Sequence, residues 1–338
     1  MTPRIAILGS GAIGCYVGGW LQQAGASVVF IGSPRMQARV RQHGLTLSDV
    51  QQRQLKLAPA KLVFTLNPQA MSDADLVLVC VKSGATPAAA QAIRAHAPES
   101  ALVISLQNGI GNARILAASN PRTTVLGGMV PFNVAHVADG GLYRATEGEM
   151  TVQASTRLEP WRPLFAAAGL PLEERSDFLQ VQWGKLLLNL NNPINALSGL
   201  PLKSQLQQRD YRRCLAALIR EALGVLGDAG IVPAKVGKVP PAWLPALLEL
   251  PDVVFRRIAR QMLRIDPQAR SSMWDDLAAG RKTEIDFLSG EVVALAARSG
   301  KDAPMNRRIT NLVHHAEIAP VHTPIAAAKL WRTLKCLT

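Results

Sequence analysis

Residues 4–14 read RIAILGSGAIG. The run Ile5-Ala6-Ile7-Leu8 is short and continuously apolar, as in a strand covered on both faces. Glycines follow at positions 9, 11 and 14, and a helical pattern runs on to about Gln23. A G-x-G-x-x-G spacing alone says little, but one that closes a strand and opens a helix has a mechanical reading. Gly9 makes the tight turn, Gly11 lets backbone approach a pyrophosphate, and Gly14 lets helix and strand pack closely. The helix N-terminus then turns its first amides and its positive potential towards the phosphates. The stretch predicts a dinucleotide cradle of Gly9, Ser10, Gly11, Ala12, Ile13 and Gly14. A basic residue, an apolar run and small residues also mimic a secretory leader. The glycine pattern and the strand before it favour the cradle.

Working outward, the first half of the chain alternates. Strands are expected at 27–32 (SVVFIG), 76–82 (LVLVCVK) and 101–109 (ALVISLQNG), with an alanine-rich helix near 85–96. TVLGGMVPF and MTVQA add later strands. Continuous apolar strands separated by helices argue for a parallel sheet covered on both faces. Beyond about residue 173 the strand signals stop and long helical patterns take over, split by glycine and proline. The fold class expected is therefore α/β: a Rossmann-type doubly wound sheet over 1–173, then an all-α domain over 174–338.

The end of the second strand bears on the cofactor. An NAD site usually carries Asp or Glu there, for the ribose 2′-hydroxyl. This chain has GSPRMQAR at 32–39, with Ser33, Arg35 and Arg39 and no acid. A guanidinium forms paired charge-assisted bonds to a 2′-phosphate that a carboxylate would repel. NADPH is expected, with Arg35 as the main clamp and Ser33 beside it; the plain alternative for Arg35 is a solvated loop cation. Lys82 and Gln107-Asn108 stand at two further strand ends, where open α/β sheets bind ligands. An ordinary Asn-Gly turn explains that second position equally well.

In the helical half, VQWGKLLLNLNNPINALSG (181–199) holds one lysine in an apolar run. Lysine is almost never fully buried without a partner. On a helix Lys185 and Asn189 share a face. Further on, SSMWDDLAAGRKTEID (271–286) offers two apparent caps, Ser272-x-x-Asp275 and Thr283-x-x-Asp286, which puts Glu284 in a first helical turn. On residue chemistry alone these are caps and nothing more.

Taken together, GSGAIG after the first strand, VK at 81–82, QNG at 107–109, WGKLLLN at 183–189, and SSM followed by GRKTEID resemble the ketopantoate reductase family over both domains. The resemblance implies an NADPH-dependent reduction of a 2-oxo acid, 2-dehydropantoate to pantoate for pantothenate and coenzyme A synthesis, at a cleft between the two domains. It implies a catalytic role for Lys185, and for Glu284 in holding substrate and influencing that lysine. It implies substrate contacts from Asn189, Ser272 and Asn108, the last beside the nicotinamide, and a cofactor-side role for Lys82. One position departs: Pro193 stands where the family has a second asparagine, eight residues after the lysine. Alternatives are a paralogue reducing another 2-oxo acid and a non-catalytic NADP(H)-binding regulator.

Composition narrows the field. With 338 residues, 48% of them hydrophobic, the chain fills two ordinary domains. The net charge of +13 is spread along the chain, and its densest group, FRRIARQMLRI (255–265), reads as a solvated helical face. No nucleic-acid motif accompanies it, so no nucleic-acid partner is expected. No uncharged apolar run reaches the length of a membrane span. Cys15, Cys80, Cys214 and Cys336 lie far apart and read as buried thiols of a cytoplasmic protein. Adjacent His314 and His315 diverge on a helix, so no metal site is expected. A monomer or homodimer is expected.

Overall fold

The computed structural model describes residues 2–137, 141–237, 239–258, 268–319, 321 and 323–335. The chain divides into two compact units, Met1–Phe178 and Leu179–Thr338.

The first unit carries strands β1 (Arg4–Leu8), β2 (Ser27–Ile31), β3 (Leu45–Asp49), β4 (Gln54–Leu57), β5 (Val63–Thr65), β6 (Leu76–Val79), β7 (Leu102–Ser105), β8 (Thr124–Met129), β9 (Val134–His136), β10 (Leu142–Arg144), β11 (Met150–Gln153) and β12 (Leu172–Arg175). Its helices are α1 (Ala12–Gln23), α2 (Pro34–His43), α3 (Thr86–His96), α4 (Asn112–Ser119) and α5 (Arg162–Ala167). The main sheet runs β12-β11-β8-β7-β6-β1-β2-β5. From β5 to β8 every neighbouring pair is parallel; β11 then joins antiparallel to β8. Residues 5–8 pair with both Val28–Ile31 and Leu76–Val79, so β1 is central. Alternate residues feed opposite cores. Ile5, Ile7, Leu76, Leu78, Leu102 and Ile104 join one, while Ala6, Leu8, Val77, Val79 and Val103 join the other. Burial on both faces is why these strands lack a polar alternation. The strand order reverses between β1 and β6, and the crevice beyond their carboxyl ends is where such sheets take ligands.

Two features differ from the sequence reading. A second sheet, β4-β3-β10-β9, was not expected. It joins β10 in parallel to β3 across some hundred residues of chain, through strands of five residues or fewer. The expected boundary near 173 falls inside β12, which pairs with β11 and stays with the first unit.

The second unit is helical: α6 (Phe178–Asn189, its first residue belonging to the first unit), α7 (Asn191–Ser198), α8 (Leu202–Leu206), α9 (Arg209–Asp228), α10 (Leu244–Glu249), α11 (Asp252–Ile258), α12 (Ser272–Ala278), α13 (Ser289–Arg298), α14 (Pro304–Ile318) and α15 (Ala327–Lys335). The break after α6 has a cause in Pro193. Proline lacks the N–H a continuing helix would need there, but it is tolerated in the first turn of a new one. At the foot of α9, Arg212 is fully buried. It donates to the carbonyls of Leu206, Leu248 and Leu250 and to Asp252, and its guanidinium lies over the Phe255 ring. Arg256 and Arg257 are exposed on α11, whereas Arg260, Met262, Arg264 and Ile265 lie outside the described residues, as does Cys336. Among the described residues no helix is long and apolar enough to cross a membrane.

Candidate active site

The glycine turn occupies the crevice end of β1. Gly9 has φ +102°, and a Cβ there would fall 2.3 Å from the Val81 nitrogen. The Gly9 and Ser10 amides both donate to the Ile31 carbonyl (2.9 and 3.0 Å), and the Gly11 amide donates back to the Gly9 carbonyl (2.8 Å). The Ser10 hydroxyl is buried within 3.2 Å of the carbonyls of Ile7 and Ile31. Ser10 therefore braces the turn with its side chain. Ala12, Ile13 and Gly14 form the first turn of α1, where a helix leaves its N–H groups without intrahelical acceptors. At Gly14 a Cβ would meet the Gly9 carbonyl at 2.5 Å, so helix and turn need glycine to touch. At Gly11 a Cβ would meet nothing within 4 Å. No atom of the described residues requires glycine there; a group lying over the turn would.

A cavity of about 490 Å³ opens on this turn. Gly9, Ser10, Gly11, Ser33 and Lys82 line it, with Met36 and the alanines 85, 88, 89 and 92 as an apolar wall. A cationic and hydroxyl rim around an apolar slot suits a nucleotide. Ser33 caps α2, accepting from the Met36 amide (3.4 Å). Arg35 is exposed in the first turn of α2, outside the cavity lining. Lys82 is exposed just beyond β6, and Asn108 is half-buried beyond β7. The Ser83 hydroxyl donates to the Asn108 carbonyl (2.9 Å) and joins those two strand ends. Gln107, read from sequence as a cleft residue, is instead buried. Its amide accepts from Ser105 and donates to Thr86, both at 2.8 Å.

In the second unit, Lys185 and Asn189 lie one turn apart on α6, both half-buried. Burial pushes the Lys185 ammonium down to about 8, and the Glu284 carboxylate opposes that shift. Gly184 explains part of the setting. Its Cβ would lie 2.1 Å from the Ala234 carbonyl, and the Ala234 amide donates to the Gln180 carbonyl (2.8 Å). Glycine thus lets the loop at Ala234 cross α6 one residue from the lysine.

The two expected caps are each placed differently. Ser271, not Ser272, caps α12, its hydroxyl accepting from the Trp274 amide (3.2 Å). Ser272 is the first helical residue and is exposed. Asn195, fully buried on α7, fixes this corner by accepting from the Ser271 amide (2.9 Å). Glu284 precedes a short 3-10 turn, Ile285–Phe287, and the next α-helix starts only at Ser289. Thr283 accepts from the Ile285 amide (3.2 Å), while Asp286 pairs with His314 on α14 (3.0 Å). Glu317, also on α14, accepts from the Thr283 amide (2.7 Å). Glu284 is thus flanked on both sides by contacts to one helix.

The profile described as ketopantoate reductase PanE/ApbA matches residues 5–157, and that of its C-terminal domain matches 177–317. The chain belongs to the ketopantoate reductase family. Members of this family are oxidoreductases of small 2-oxo acids that use a nicotinamide cofactor. The 2-dehydropantoate 2-reductase of Halobacterium salinarum is 29% identical over 321 residues, covering 93% of this chain and 99% of that one. The crystal structure of a PanE/ApbA family ketopantoate reductase from Ralstonia eutropha matches with a TM-score of 0.78 at 30% identity, over 93% of this chain and 98% of that one. A D-mandelate dehydrogenase complex with NADH and anilino(oxo)acetate matches with a TM-score of 0.75 over 93% of this chain and 98% of that one. At 20% identity that likeness is one of fold.

The structure adds Ser83, Thr86, Asn112, Asn195, Ser271 and Glu317 to the residues given a role from sequence, as hydrogen-bond partners around Asn108, the start of α12 and Glu284. Asn195 had a signal: a polar residue in a run that is otherwise the buried side of a helix. Glu317 had none, since its partner lies 34 residues away on another element.

Proposed function

We propose that the chain reduces 2-dehydropantoate to pantoate with NADPH, in the cytoplasm. The observation that carries the reading is Lys185, a lysine half-buried on α6 one turn from Asn189, where burial lowers its ammonium to about 8 and Glu284 opposes that shift. Gly11, Ala12, Ile13 and Gly14 would receive the pyrophosphate, and Ser33 and Arg35 the 2′-phosphate. Asn108 would face the nicotinamide and Lys82 the cofactor side. NADPH, when bound, supplies the hydride. Lys185 stabilises the charge that grows on the C2 oxygen and delivers its proton there. Ser272 binds the substrate carboxylate, Asn189 contacts the substrate beside the lysine, and Glu284 holds it while tuning Lys185. Cys15, Cys80 and Cys214 are free thiols, as the cytoplasm would keep them.

Reduction needs Lys185 protonated, so kcat/KM is expected to fall as pH rises through about 8. In Glu284→Gln the raising cause is gone and burial acts alone. The alkaline limb is then expected at lower pH, and a pH–rate profile at saturating NADPH checks it. A limb that stayed in place would remove Glu284 from this role.

A second reading, another 2-oxo acid, is favoured by Pro193, which is buried in α7 and offers no amide where the family has an asparagine. NADPH oxidation across a panel of 2-oxo acids separates the two. Ketopantoate is expected to give the highest kcat/KM; another acid preferred by more than about tenfold, 1.4 kcal/mol in transition-state binding, would overturn it. In the same assay Arg35→Ala is expected to weaken NADPH roughly tenfold to a hundredfold, the worth of charge-assisted bonds, and to leave NADH unchanged. Equal losses for both cofactors would remove Arg35 as the phosphate clamp.

A further inference from the structure

Beneath the Asn108 loop lies a buried chain of side-chain hydrogen bonds. The Ser105 hydroxyl donates to the Gln107 amide oxygen (2.8 Å), and the Gln107 amide nitrogen donates to the Thr86 hydroxyl (2.8 Å). The Thr86 hydroxyl donates to the Asn112 amide oxygen (2.7 Å). The Asn112 amide nitrogen then reaches the Ser83 hydroxyl (3.1 Å) and the Asn108 carbonyl (2.7 Å). The Ser83 hydroxyl donates to that same carbonyl (2.9 Å). All five side chains, Ser83, Thr86, Ser105, Gln107 and Asn112, are buried.

The chain has one direction. Thr86 has a single hydroxyl proton and already accepts from Gln107, so that proton goes to the Asn112 oxygen. This fixes the Asn112 amide with its nitrogen towards Asn108. Ser83, accepting from that nitrogen, has its own proton left for the Asn108 carbonyl. Bonds aligned in this way in a low-dielectric interior polarise and stiffen one another. The chain ties the ends of β6 and β7 to the first residues of α3 and α4.

Satisfying buried polar groups explains why each link is made. What marks the end point is where it falls: two buried side-chain donors, Ser83 and Asn112, converge on one backbone carbonyl, that of the half-buried Asn108 in the loop beyond β7. We infer that Asn112 is a positioning residue that fixes the Asn108 loop for hydride transfer. The inference rests on the proposed place of Asn108 beside the nicotinamide.

Asn112→Asp is the sharpest test, since it keeps the size and the oxygen that Thr86 needs. It removes the donor to Asn108, and the new carboxylate draws the Ser83 proton to itself, so both bonds to the carbonyl are lost. Misplacement of a reacting partner by about 1 Å can cost on the order of a hundredfold. In the full-length enzyme, kcat is expected to fall on that order, with the substrate KM and the NADPH Kd close to wild type. The primary isotope effect with 4-deuterated NADPH should rise, because hydride transfer becomes slower relative to the other steps. Ser105→Ala, at the far end of the chain, is expected to lower Tm and leave the isotope effect alone. If Asn112→Asp does not fold, Ser83→Ala takes its place, with a smaller drop in kcat and the same rise in isotope effect. An active wild type whose folded Asn112→Asp, or failing that Ser83→Ala, keeps wild-type kcat and isotope effect overturns this inference. A wild type inert towards every 2-oxo acid overturns the functional reading beneath it instead.

Discussion

In Lys185→Ala, kcat for reduction of the 2-oxo acid is expected to fall by about a thousandfold, within the range that a positioned general acid supplies. NADPH affinity should be unchanged, because the residues assigned to the cofactor belong to the first unit and Lys185 to the second. The fold should not suffer. Burial already disfavours the charged lysine, lowering it to about 8, and alanine is the best helix former at this position of α6. Tm is therefore expected to hold or rise while activity collapses. That combination separates loss of chemistry from loss of structure. Single-turnover measurement with NADPH prebound reads the chemical step directly. A variant that turned over at the wild-type rate would show that the proton comes from elsewhere.

The lysine itself was legible in the sequence; its environment was not. A lone cation in WGKLLLN invites the question of burial, and the resemblance supplies a role. The answer depends on a stretch of chain near Ala234 crossing at Gly184, some fifty residues away, and on Glu284, about a hundred residues away. Local pattern cannot see either contact. The same limit explains the misplaced caps. From sequence either Ser271 or Ser272 can precede the helix, and Asp275 favours the second as a capping box. The choice is made by Asn195, which holds the Ser271 amide from α7. Gln107 followed an apolar strand and so read as a cleft residue, whereas Thr86 at the start of α3 provides a buried partner. The main sheet was readable because its strands are apolar on both faces. The strands of the second sheet are short and mixed in polarity, and their parallel pair β3–β10 forms only through distant chain. The glycine turn lies at the other extreme. Gly14 answers to the Gly9 carbonyl of the same turn and Gly9 to the neighbouring strand end at Cys80 and Val81, whereas Gly11 meets no described protein atom, so each glycine can be tested separately.

Gly9→Ala and Gly11→Ala are expected to fail in opposite ways. At Gly9 an alanine would sit at φ +102° with its Cβ 2.3 Å from the Val81 nitrogen and 2.6 Å from the Cys80 carbonyl carbon. Both are backbone atoms of the strand end beside β1, which no rotamer change can clear. Strain and overpacking together cost roughly 2–6 kcal/mol, a large part of a domain's stability. Gly9→Ala should thus lower Tm by on the order of 10 °C even without ligand. At Gly11 the backbone is extended, with φ −81° and ψ −159°, and the added methyl meets no protein atom. The unliganded protein should melt as wild type does. The methyl would instead occupy the space over the first amides of α1, where the pyrophosphate is proposed to lie. A cost of about 1–3 kcal/mol for overfilling a tight contact weakens NADPH roughly tenfold to a hundredfold. Thermal melts with and without NADPH separate the two. Ligand stabilisation follows RT ln(1 + [L]/Kd), so a hundredfold loss in Kd removes up to about 2.7 kcal/mol of it. Wild type should gain stability from NADPH and Gly11→Ala far less, from the same baseline. If Gly11→Ala gained as much as wild type, the open space at Gly11 would have no bearing on the cofactor, and the cradle would have to be sought elsewhere along the crevice.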